Sequence, residues 1–74
     1  MTKYLVIEGT YNGADAKVYD TREEAEKALE IAYTYAMAET DRPLEDFYLN
    51  CSNALIKTDQ VEDLWHGTIK EINI

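Results

Sequence analysis

The chain has only one cysteine, Cys51, and one histidine, His66. A lone cysteine closes no disulfide within the chain, so no covalent framework holds the fold, and a reducing, cytoplasmic setting is expected. One Cys and one His are also too few for a thiolate and imidazole zinc site. Cations are scarce: Lys and Arg number 7 against 15 Asp and Glu, for a formal charge of −8. Nucleic acids and anionic membrane surfaces both select clustered Lys and Arg. The charge balance therefore speaks against either as a direct partner. No run approaches the roughly 20 apolar residues that cross a bilayer, and the apolar stretch near Met1 is too short for a secretory leader. Of the three glycines, Gly9 and Gly13 flank a turn and open no phosphate-binding loop, so no cofactor is expected.

What remains is ordinary for a folded protein: 46% hydrophobic residues and 30% charged. At 74 residues, with no repeat or linker, residues 1–74 are expected to form one domain. Such a chain buries roughly 60% of its unfolded surface and has little volume to give to a deep cavity, so function is expected on the outside.

Lys3-Tyr4-Leu5-Val6-Ile7-Glu8 is rich in aromatic and β-branched residues and apolar on both alternating faces, which predicts an internal strand. Asn12-Gly13 marks a hairpin turn, and Asp15 to Tyr19 forms the returning strand. Thr21-Arg22-Glu23-Glu24 matches a capping box, which predicts a helix from Arg22 to Glu39 that ends before Pro43. Ala25, Ala28, Leu29, Ala32 and Ala36 form one apolar stripe. Ile31, Tyr35 and Ala38 form a second, which needs a covering of its own: Leu44, Phe47, Tyr48 and Leu49 folding back, or another chain. Leu44 to Leu49 reads equally as a short helix or an irregular strand, whereas Asn53 to Thr58 and Leu64 to Ile74 read as strands. The expected fold is α+β, with one long helix on a small, mostly antiparallel four-stranded sheet in the order ββαββ.

Chemistry-bearing groups are thinly spread. On a helix, Asp59, Glu62, Asp63 and His66 would share a face and could hold a divalent cation. A simpler account makes Asp59 the cap of a helical turn and gives His66 to the following strand, which is the expectation. Cys51 or Ser52 with His66 could form a nucleophilic pair only on residue count, without a supporting motif. Glu23-Glu24, Glu45-Asp46 and Glu62-Asp63 are neighbours that point in different directions, unlike catalytic carboxylates facing across a cleft. No catalytic residue is expected.

Six tyrosines exceed what so small a core can bury with every hydroxyl satisfied. Tyrosine beside carboxylates suits a basic, arginine-bearing partner. The expected function is thus a non-catalytic acidic protein-binding module. One version is a phage-type inhibitor that mimics nucleic acid and blocks a nucleic-acid-handling enzyme, an analogy from size and charge. The expected contact residues are Tyr11, Glu23, Glu26, Glu30, Tyr35, Glu39, Asp41, Glu45 and Asp46. The alternative is a homo-oligomeric scaffold, a homodimer packing Ile31, Tyr35 and Ala38 across a twofold axis.

Overall fold

The computed structural model describes residues 1–10, 13–40, 44–58 and 64–74. It is α+β, as expected, with one helix on an antiparallel sheet. Strands β1 (Thr2–Thr10) and β2 (Gly13–Tyr19) precede helix α1 (Arg22–Glu39), and β3 (Leu44–Leu49), β4 (Asn53–Thr58) and β5 (Trp65–Asn73) follow. The sheet order is β2-β1-β5-β4-β3, every pairing antiparallel. β1 is internal, between β2 and β5.

The helix begins where its caps dictate. The Thr21 hydroxyl accepts from the Glu24 N–H at 3.2 Å, and the Glu24 carboxylate accepts from that hydroxyl at 3.0 Å. Arg22 anchors the first turn, donating to Ser52 at 2.7 Å and to Glu26 at 3.1 Å. Ala25 and Leu29 are fully buried beneath the helix. They meet Val6, Ala54, Ile56, Trp65 and Ile69 from one side of the sheet. Tyr33 packs edge-on to Trp65 with ring centroids 6.0 Å apart.

The strand count departs from four, and the order from ββαββ. Leu44–Leu49 is a fifth strand on the outer edge of the sheet, paired with β4. Its backbone finds partners there because the chain reverses tightly at Asn50. The Asn50 side chain accepts from the Ser52 and Asn53 N–H groups, at 2.9 and 2.8 Å, and its own N–H donates to the Asn53 carbonyl at 2.8 Å. A bulge between Leu44 and Asp46 shifts the register. Paired this way, Leu44, Phe47, Tyr48 and Leu49 do not fold back over Ile31 and Tyr35. Ile31 stays 48% exposed and Tyr35 68%. Phe47, at 53%, is also bare, since the helix packs mainly on β1, β5, β4 and β2.

Gly67 sets how closely the helix lies. A Cβ there would stand 2.6 Å from Leu29 Cδ1 and 2.8 Å from the Trp65 ring. Both neighbours are buried and have nowhere to retreat. Gly67→Ala is expected to cost about 1–3 kcal/mol through overpacking, measured by urea unfolding, and an unchanged midpoint would contradict this packing.

Candidate protein-binding groove

Strand alternation and register sort the side chains onto two sides of the sheet. The helix side carries Tyr4, Val6 and Glu8 of β1, Asp15, Lys17 and Tyr19 of β2, and Trp65, Ile69 and Glu71 of β5. The open side carries Lys3, Leu5 and Ile7 of β1, Val18 of β2, Leu55 and Lys57 of β4, and His66, Lys70 and Ile72 of β5. Asp46 and Tyr48 of β3 lie on that side too. Most of the described carboxylates lie on the helix side, although Lys17, Arg22 and Lys27 lie there too. Glu8, Asp15 and Glu71 join Glu23, Glu24, Glu26, Glu30 and Glu39 of α1 on the helix side. On the open side Lys3 is ion-paired to Asp20, Lys57 stands opposite Asp46, and Lys70 and His66 are exposed on β5.

Between α1 and the β1–β2 hairpin runs a groove of about 490 Å³, within the roughly 300–1,000 Å³ of typical ligand sites. Ala28, Ala32 and Ala36 form its floor, because small side chains leave the space that larger ones would fill. Ile31, Tyr35 and Glu39 line the helix wall, and Glu8, Tyr19 and Trp65 the sheet wall. An adjoining hollow of about 360 Å³ shares Glu8, Tyr19 and Ala28 and adds Asp15 and Lys17. Glu8 and Asp15 stand directly opposite in the β1–β2 register. Like charges so placed repel, and neither carboxylate has an ion-pair or hydrogen-bond partner among the described residues. The groove thus combines aromatic side chains, an apolar floor and carboxylates, with Lys17 in the adjoining hollow, a set of groups suited to a cation with a flat or aliphatic body.

The structure gathers some of the expected contact residues and separates others. Tyr35 and Glu39 line the groove, while Glu23, Glu26 and Glu30 lie on the same helix. Glu26 is engaged by Arg22. Glu45 and Asp46 lie on β3, at the edge of the sheet farthest from β2. Tyr11 and Asp41 lie outside the described residues. Glu8, Asp15 and Tyr19 escaped sequence reasoning, because only the β1–β2 register brings them to one face.

For the cation candidate, Asp59, Glu62 and Asp63 lie outside the described residues, and among the described ones no group of acidic, Cys and His side chains could hold a metal. His66 belongs to β5, with its ring over Gly9 of β1: a Cβ on Gly9 would come within 2.9 Å of it. Cys51 is exposed in the β3–β4 turn, with its sulfur 3.8 Å from the Ser52 hydroxyl. That places it on the β4 side of β5, away from the imidazole. Among the described residues no helix is long and apolar enough to cross a membrane. No family model, curated protein or solved structure matches the chain.

A carboxylate with no ion-pair or hydrogen-bond partner among the described residues adds no stabilising contact to the fold. Glu8→Gln is expected to leave stability unchanged or raise it by up to about 1 kcal/mol, with the gain fading as salt is added. Urea unfolding at low and high salt measures it, and a clear loss would show that Glu8 serves the fold instead.

Proposed function

We propose that this protein is a non-catalytic binding module whose helix side docks a basic, arginine-bearing surface of another protein. The observation that carries this reading is the convergence of Tyr19, Tyr35, Glu8 and Glu39 on one groove, beside the opposed carboxylates of Glu8 and Asp15. A guanidinium entering there would stack on a tyrosine face and relieve the repulsion between two carboxylates. Arginine suits the site better than lysine, because its planar head is less strongly hydrated and is matched to both aromatic and carboxylate groups. The −8 net charge would speed the encounter with a basic partner.

The inhibitor version of this reading takes the helix acids as substitutes for phosphates. Glu23, Glu26 and Glu30 recur every three or four residues, which advances each by about 4.5–6 Å along the axis. Carboxylates spaced this way can line the channel of a nucleic-acid-handling enzyme. A second reading keeps the helix surface and makes the partner another copy of the chain, favoured by the exposure of Ile31 and Tyr35.

Affinity capture from the native host's lysate separates the readings. The immobilised protein is expected to retain a basic protein that elutes as salt rises from about 50 to 500 mM, where screening shortens steeply. Tyr35→Ala with Glu39→Gln should lose it. Retention that ignores salt and survives both substitutions would contradict the groove as the docking site.

A further inference from the structure

Among the described residues no element covers the side of the sheet away from the helix, yet its centre is aliphatic. Leu5 and Ile7 of β1, Leu55 of β4 and Ile72 of β5 are half-buried there, and Val18 on the β2 edge is 52% exposed. An antiparallel sheet that turns one face to water ordinarily makes that face polar. This one sets Lys57 and Lys70 among its aliphatic residues. Lys70 stands opposite Leu5, His66 opposite Leu55, and Lys57 opposite Asp46.

We infer that this open face receives the outer side of α1 from a second copy of the chain. Charge complementarity selects that occupant over the alternatives. Two open faces meeting across a twofold axis would set lysines against lysines, and two helices meeting through Ile31 and Tyr35 would set Glu30 against the same acidic surface. Only the unlike contact, helix on open sheet, sets the acid-rich helix, with Glu23 and Glu30 flanking Lys27, against Lys57 and Lys70. It also covers both apolar patches at once: Ile31 and Tyr35 on the helix, and Leu5, Ile7 and Leu55 on the sheet. A contact between unlike surfaces does not close after two copies unless a ring forms, so the assembly grows with concentration. The inference rests on these two surfaces and not on a basic partner, which would compete for the same helix acids.

The test is sedimentation velocity on the whole chain at rising concentration, with circular dichroism confirming that each variant is folded. The wild type should exceed its 8.5 kDa monomer mass at low salt and return to it at about 1 M, where the Debye length falls to roughly 3 Å. Lys57→Glu with Lys70→Glu blocks the sheet side, and Ile31→Ser with Tyr35→Ser blocks the helix side. Each variant alone should be monomeric. An equimolar mixture should double in mass and grow no further, because one intact surface of each kind remains. A wild type that stays monomeric would overturn the inference. So would a one-sided variant that still associates with itself, or a mixture that stays monomeric.

Discussion

The seating of Leu29 against Gly67 is the contact on which the arrangement depends. With no side chain at Gly67, Leu29 and the Trp65 ring come together over the middle of the sheet. Ala54 and Ala25 extend that close approach, and Ile56, Val6 and Ile69 fill around it. A helix held this near the sheet by small residues shelters what lies directly beneath it and little more. β3 therefore projects beyond it, the groove opens along its flank beside the hairpin, and the opposite side of the sheet receives no cover from the described residues.

That geometry turns a charge surplus into a pattern. One helix carries five carboxylates, Glu23, Glu24, Glu26, Glu30 and Glu39, and β1 and β2 add Glu8 and Asp15 from below. Since strands alternate, lysines at odd positions of β1 and β4 and at an even position of β5 all emerge on the other side. The result is a molecule with an acid-rich helix side and an opposite side that carries Lys3, Lys57 and Lys70 beside Asp20 and Asp46, each side holding apolar groups that no described element covers. Net charge describes how such a protein behaves at a distance. The surfaces a partner would meet are set by strand register.

Local chemistry made much of this readable. Thr21 with Glu24 located the helix start, and Asn12-Gly13 located the hairpin, because both signals act over a few residues. The alternation of Trp65, Gly67 and Ile69 with His66, Thr68 and Lys70 divided β5 between the two sides as the structure does. Leu44 to Leu49 was ambiguous for a physical reason. It joins three consecutive apolar residues, Phe47, Tyr48 and Leu49, to the acidic pair Glu45-Asp46, so neither a period of two nor one of 3.6 stands out. The bulge further breaks the alternation. The turn-forming Asn50-Cys51-Ser52-Asn53 was the signal that could have resolved it. For the groove, Tyr35 and Glu39 were legible from the helix alone. Glu8, Asp15 and Tyr19 required the β1–β2 register, a tertiary fact that no single segment carries.

The claim beneath both binding proposals is that the acidic surplus lies on the helix side of the sheet, with Lys57 and Lys70 on the other. Paramagnetic relaxation of backbone amides by a cationic and then an anionic soluble nitroxide measures this directly in solution. The cationic probe should act most strongly on Glu23 to Glu39 and on Glu8 and Asp15, and the anionic probe on Lys57, His66 and Lys70. A ratio of the two effects that is uniform along the chain would contradict the account.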